Sequence, residues 1–282
     1  MNAPIPLPTR PLGRTGHAAT LFGLGGEGVL RTHGRTSEAV RVIQRALDQG
    51  VNYYDSAPAY DGCLDYYGAA LGERRKQIFF ASKTHERTRD GSLRLLDTTL
   101  RRLRTDYLDL WQLHDLRTRE QLDTIFKKGG AIEALTEARA AGRVRHLGLT
   151  GHHDPAILLE AMRRFPFDTL LVALNPADVH GSSFLKTVLP VAREAGMGVI
   201  GMKVCAQGRL LSTLTMAECM GYVLSQPGVT NVVIGCQTPE EVDANADFVR
   251  SFETFSQEKL NQLEQRTRAR AAAFTYYKKP TG

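Results

Sequence analysis

The chain is poor in cysteine and tryptophan and has no long apolar run. Its four cysteines, Cys63, Cys205, Cys219 and Cys236, stand far apart. The paired spacing of zinc and iron–sulfur sites is therefore missing, and no metal set is expected. Free thiols in a reducing cytoplasm are the expectation instead. No apolar stretch approaches the ~18 residues of a membrane helix. The opening segment, Met1 to Gly16, lacks the apolar stretch of a secretory signal. No block of like charge and no basic stripe interleaved with aromatics is present, so neither nucleic acid nor membrane is an expected partner. Lys and Arg number 36 against 30 Asp and Glu, a formal charge of +6. A basic, soluble surface accounts for that excess as readily as a phosphate-bearing ligand does.

What is present is an alternation. Short runs rich in Val, Ile, Leu, Phe and Tyr read as buried strands: Leu21–Gly25, Val51–Tyr54, Gln77–Ser82, Leu108–His114, Val144–Leu149, Thr169–Leu174, Gly198–Met202 and Val229–Ile234. Segments of helical period lie between them. Leu93, Leu96, Leu100 and Leu103 share one face, with Ser92 as a candidate N-cap. Val40, Ile43 and Leu47 form another face, ended by Gly50, and Ile132, Leu135 and Ala138 a third, ended by Gly142. Further helices are predicted over 63–74, 154–164, 183–195, 215–225 and 239–251. Eight strand–helix units in 282 residues predict a closed (β/α)8 TIM barrel, an α/β fold of typically about 250 residues. An open doubly wound sheet is the alternative, although it usually has fewer strands. No linker composition interrupts residues 1–282, so one domain is expected. Residues 1–20 read as a capping segment with a hairpin around Arg14-Thr15-Gly16, and residues 257–282 as a last helix and an aromatic, basic tail. That tail reads as a pocket lid, as a strap packed on the barrel, or as a disordered end.

Residues 23–28 spell a GxGxxG run, Gly-Leu-Gly-Gly-Glu-Gly. A dinucleotide fingerprint needs a helix to start at its last glycine. Here turn-formers follow until Ser37, so the run reads as a Gly-rich turn at a strand mouth, with Gly25 open to close approach by a ligand. In a barrel the C-terminal strand ends build the active site. Asp55 ends the second strand, Tyr60 follows in its loop, Lys83 ends the third strand and His114 the fourth. Each has a structural reading as a cap, a solvated lysine, a core histidine or one tyrosine among several. Together they place an acid, a phenol, a cation and an imidazole on one rim, where a buried Lys and Asp need each other as partners.

Gly50 through Tyr60 (GVNYYDSAPAY), Asp106 through His114 (DYLDLWQLH) and Ile78 through Thr84 (IFFASKT) resemble the aldo-keto reductase family, whose patterns are G-x-N-x-x-D-[TS]-A-x-x-Y and D-[YR]-[LIV]-D-L-x-x-x-H and whose lysine ends the third strand. Leu12–Gly16, Gly142–Gly148 and Gly235–Asn245 add to a resemblance that spans nearly the whole chain. It implies an oxidoreductase that reduces an aldehyde or ketone, sugar-like carbonyls included, with hydride from NAD(P)H. Tyr60 would be the general acid, Lys83 would lower its pKa, Asp55 would orient Lys83, and His114 would aim the carbonyl. A small-molecule carbonyl substrate and a monomer or weak homo-oligomer are the expected partners.

The same resemblance implies a cofactor groove. Thr150 and Gly151 stand where the family has Ser-Asn, Leu171 where it has Gln, and Met202 where many members stack a Tyr. Lys203 through Gly208 would run along the pyrophosphate, with Gly235 and Gln237 beside it and Asn245 reading adenine. Glu241 stands where many members place an Arg or Gln beside the ribose 2′ position. A carboxylate there favours a free 2′-hydroxyl and hence NAD(H), whereas family precedent and a nearby Arg209 favour NADP(H). The substituted nicotinamide contacts leave two alternatives: a cofactor-binding regulatory barrel with little turnover, and a Schiff-base lyase using Lys83.

Overall fold

The computed structural model describes residues 5–279. Two short strands, β1 (Thr9–Pro11) and β2 (Ala18–Thr20), form the expected antiparallel hairpin. Eight parallel strands follow: β3 (Phe22–Gly28), β4 (Tyr53–Asp55), β5 (Phe79–Thr84), β6 (Leu108–Leu113), β7 (Val144–Gly151), β8 (Thr169–Ala173), β9 (Gly198–Met202) and β10 (Val229–Cys236). They pair in sequence order, and β10 returns to pair with β3, so the sheet closes into a barrel. The expected (β/α)8 TIM barrel is the fold, and the open sheet is excluded.

The outer layer consists of α1 (Thr36–Asp48), α2 (Cys63–Ala70), α3 (Arg89–Leu103), α4 (Arg119–Phe126), α5 (Ala131–Ala140), α6 (Pro155–Arg164), α7 (Phe184–Glu194), α8 (Met216–Leu224) and α9 (Pro239–Arg250). Helices α10 (Gln257–Arg268) and α11 (Ala271–Phe274) complete the chain before its tail. Two helical expectations change. Helix α3 starts four residues early because the Thr88 hydroxyl, not that of Ser92, caps it by accepting from the Gly91 N–H. Ser92 is instead a buried residue bonded to Thr84 Oγ1 at 3.2 Å. The connection from β6 to β7 carries two helices where one was predicted, the additional one being α4, capped by Thr118.

Side chains alternate along the strands between two cores. Leu12, Tyr53, Phe79, Ala81, Leu110, Leu171 and Ile200 fill the barrel, while a larger cluster lies between sheet and helices. The hairpin closes the barrel floor. Gly13 makes this possible: its φ is +52°, and a Cβ there would lie 2.2 Å from the Gly198 nitrogen. Asp109, inside the DYLDL segment, belongs to this lower end. It accepts from the Phe80 N–H at 2.9 Å and pairs with Arg75 and Arg145, both at 2.8 Å. The barrel is therefore sealed below and open at the C-terminal strand ends.

Candidate active site

Three successive strands deliver the expected side chains to the open end. Asp55 is the last residue of β4, Lys83 the penultimate residue of β5, and His114 follows β6 directly. Tyr60 sits in the turn between β4 and α2, where its N–H donates to the Ala57 carbonyl at 3.0 Å. Gly26 gives the phenol ring its place, since a Cβ at that position would meet the ring at 2.6 Å. Lys83 is 1% exposed and Asp55 3%. Lys83 Nζ donates to Asp55 Oδ2 at 2.5 Å and to the Ser56 carbonyl at 2.7 Å. Gln112 Nε2 donates to the other Asp55 oxygen at 3.2 Å. The ammonium also lies 5.0 Å from the centre of the Tyr60 ring, which meets the His114 imidazole edge to face at 5.8 Å. Asp55, Tyr60, Lys83 and His114 thus come together as a cluster.

The electrostatics run against the expected acidified phenol: Lys83 is paired with Asp55 rather than with the phenol oxygen. Burial, then the Asp55 and Glu27 carboxylates, hold Tyr60 well above the ordinary phenol range. Burial, reinforced by the Lys83 ammonium, holds His114 well below the usual imidazole range. At neutral pH the cluster therefore presents a protonated phenol and a neutral imidazole. In this state both groups can donate a hydrogen bond to one carbonyl oxygen.

Beside the cluster runs a groove of about 600 Å³. Gly25, Met202, Lys203, Gly208, Gly235, Gln237, Glu241 and Asn245 all line it, where the ends of β9, β10 and β3 adjoin. Tyr60 and Asp55 close its inner end, and Leu171 forms part of its floor. Lys203 is part-buried and makes no ion pair among the described residues, and burial lowers its pKa. A sheltered cation without a carboxylate partner fits an anionic ligand such as a pyrophosphate. The loop carrying it is strained: Lys203, Ala206 and Gln207 have φ values of 53°, 51° and 54°. Glu241 bends back so that its carboxylate accepts from the Gln237 N–H at 2.7 Å. It thereby occupies one of the donors at the start of α9 that a phosphate would need. Arg209 points elsewhere, stacking on Tyr276 at 3.6 Å and donating to the Ala273 carbonyl.

A sequence model of the Aldo/keto reductase family matches residues 22–218. The chain belongs to this family. It is 27% identical to L-galactose dehydrogenase of Arabidopsis thaliana, over 90% of this chain and 92% of that protein. Among solved structures it resembles aldo-keto reductase AKR11C1 from Bacillus halodurans in its holo form. There the TM-score is 0.78 at 22% identity, covering 92% of this chain and 96% of the other. An aldo-keto reductase from Klebsiella pneumoniae, solved in complex with NADPH, gives a TM-score of 0.74 at 22% identity, covering 89% and 92%. The chain is accordingly an oxidoreductase that uses a nicotinamide cofactor on carbonyl compounds.

In this aldo/keto reductase a second cavity, of about 440 Å³, adjoins the groove at Tyr60, Met202 and Lys203. Lys83, His114 and Thr150 open onto it, whereas Gly151 lies outside the lining of both cavities. The Thr150 hydroxyl is already engaged, accepting from the Asp115 N–H at 2.7 Å. The aromatic tail packs on the barrel mouth and walls this cavity. Tyr277 is buried and accepts from Asn175 Nδ2 at 2.8 Å, Tyr276 bonds Gln207, and Lys278 pairs with the buried Asp178. Sequence reasoning missed Glu27, which lies between the two cavities and pairs with Arg31 at 2.8 Å. Its signal was a charged residue inside an otherwise bare glycine run. Also missed were Asp115, His152 and His153, which share the second cavity.

No helix among the described residues is long and apolar enough to cross a membrane.

Proposed function

We propose that this aldo/keto reductase reduces an aldehyde or ketone, with Tyr60 as the proton donor and His114 as the group that orients the carbonyl. The observation that carries this reading is the convergence of Tyr60, Lys83 and His114 on one cavity that opens beside the groove. The nicotinamide, when bound, supplies the hydride. The chain's own residues hold the carbonyl, polarise it and deliver the proton to its oxygen. The Asp55–Lys83 pair fixes the floor under the phenol. Lys83 Nζ is held by the Asp55 carboxylate and the Ser56 carbonyl, with the Tyr60 ring centre 5.0 Å away, which favours a supporting role over a Schiff base. A sugar-like substrate is in keeping with the name of the Arabidopsis relative.

For the cofactor, the family precedent and the NADPH in the Klebsiella neighbour support NADP(H). Glu241 supports NAD(H), since its carboxylate would repel a 2′-phosphate at the start of α9. Glu241→Arg is expected to raise the NADPH-to-NADH affinity ratio, measured by fluorescence titration with each. An unchanged ratio would show that residue 241 does not face the ribose. Turnover of the tighter cofactor with a panel of carbonyl compounds tests the reductase reading itself. Tight binding without oxidation across that panel would favour a regulatory barrel.

The high phenol pKa sets the pH dependence. Reduction needs the phenol, and raising its pKa keeps that form dominant through neutral pH. The rate of reduction is therefore expected to stay flat across neutral pH and to fall only above about 10, the ordinary phenol value. Alcohol oxidation needs the phenolate and is expected to climb with pH over the same range. A decline of reduction already between about pH 7 and 8, well below that ordinary value, would mean that Lys83 acidifies the phenol after all.

A further inference from the structure

We propose that Asp115, His152 and His153 bind one Zn²⁺ ion at the wall of the second cavity. This goes beyond the carbonyl chemistry, because proton and hydride transfer require no metal. The three residues come from two adjoining strand ends. Asp115 follows β6 with a left-handed φ of 54°, and the two histidines follow β7. Backbone bonds stitch those ends together: Thr150 Oγ1 accepts from the Asp115 N–H at 2.7 Å and the Thr150 carbonyl from the Leu116 N–H at 3.0 Å. The potential ligands are thus carried by rigid elements.

Both carboxylate–imidazole separations are those of a metal site, and the two imidazole rings lie side by side, 4.4 Å apart and tilted by 33°. His152 Nδ1 and His153 Nε2 each lie 3.3 Å from Asp115 Oδ1, and the three atoms fall within 4.8 Å of one another. Ligands about 2.0–2.1 Å from a tetrahedral Zn²⁺ are separated by about 3.3–3.4 Å. Asp115 Oδ1 and His153 Nε2 are closed to solvent and, beyond these 3.3 Å contacts, have no hydrogen-bond partner among the described residues, a condition that buried polar atoms rarely tolerate. The other carboxylate oxygen is occupied: Arg117 donates to Asp115 Oδ2 from Nε at 2.8 Å and approaches it with Nη2 at 2.6 Å. Such outer contacts orient a metal-binding carboxylate. The tail supports the histidine pair, with the Lys279 N–H on the His153 carbonyl at 3.1 Å and the Tyr277 ring against His152.

Two imidazoles and one carboxylate suit Zn²⁺ and disfavour the hard cations Mg²⁺ and Ca²⁺. Three protein ligands leave a fourth position, which faces the cavity shared with Tyr60 and His114. Arg117, Lys203 and Lys279 also line this cavity, and Arg87 donates to the His114 and Asp115 carbonyls nearby. That positive surround favours an anionic fourth ligand, either hydroxide or a negatively charged oxygen of the cavity's occupant.

The test is metal content and binding in the untagged full-length chain, by mass spectrometry after Zn²⁺ loading and desalting and by titration. One Zn²⁺ per chain is expected. Asp115→Asn and His153→Ala should each weaken binding by about 100-fold or more, beyond the usual loss of an outer-shell partner, and Arg117→Ala by about 10–100-fold. Co²⁺ loading of the unaltered protein supplies a readout that needs no variant, an intense ligand-field spectrum of tetrahedral type. No retained Zn²⁺, binding undiminished in the first two variants, or a weak octahedral Co²⁺ spectrum would each overturn the proposal. None of these readings depends on turnover, so failure of the reductase reading remains distinguishable.

Discussion

Replacing Tyr60 by Phe lowers the turnover of carbonyl reduction by ~10²–10⁴-fold, the range a positioned general acid contributes. The ring itself remains, still packed on Gly26 and against the edge of His114. The groove walls formed by Gly235, Gln237 and Asn245 are untouched. Cofactor affinity is accordingly expected to stay nearly constant, and the loss to fall on kcat rather than on binding. Steady-state kinetics together with a fluorescence titration check both halves. Full activity in Y60F would remove the phenol from the reaction.

Asp55→Asn should be the most destabilising single change in the cluster. It leaves the Lys83 ammonium, 1% exposed, with a neutral partner. Removing one member of a buried ion pair costs about 3–5 kcal/mol, because the remaining charge stays desolvated. Chemical unfolding should register a loss of that size, together with loss of turnover. The double variant Asp55→Leu, Lys83→Met replaces the pair with apolar groups of similar volume. Such replacements are often neutral or stabilising. The double variant should therefore recover most of the stability while remaining inactive. If it also regained turnover, the pair would be a structural element alone.

Much of this was legible in the sequence because the barrel repeats a simple pattern. Eight apolar runs separated by periodic helices leave few topologies, and the closed sheet has the predicted strands in the predicted order. The edges were less legible. Ser92 looked like a helix cap, yet Thr88 performs that role and Ser92 turns inward to Thr84. Either residue can cap, and only the packing of the preceding loop decides. Asp55, Tyr60, Lys83 and His114 could be named because a strand-end position in a barrel specifies a rim. Their electrostatics could not be. Proximity of Lys83 to Tyr60 suggested an acidified phenol, but the sequence does not show that Asp55 lies 2.5 Å from the ammonium or that the Glu27 carboxylate also acts on the phenol. The Asp115–His152–His153 cluster was invisible for a related reason. Asp115 lies 37 residues before the adjacent His152 and His153, and only the pairing of β6 with β7 brings it to them. The tail was open to several readings because its anchors, Asn175, Asp178 and Gln207, lie far upstream.

The most direct test of the account is a single turnover. Enzyme saturated with NADPH, or with NADH if that binds more tightly, is mixed with excess 4-nitrobenzaldehyde, and the nicotinamide absorbance is followed. The account predicts stoichiometric loss of the bound reduced cofactor in the unaltered protein and a rate lower by orders of magnitude in Y60F. Persistence of the reduced cofactor in the unaltered protein, with this aldehyde and with sugar and ketone substrates alike, would contradict it.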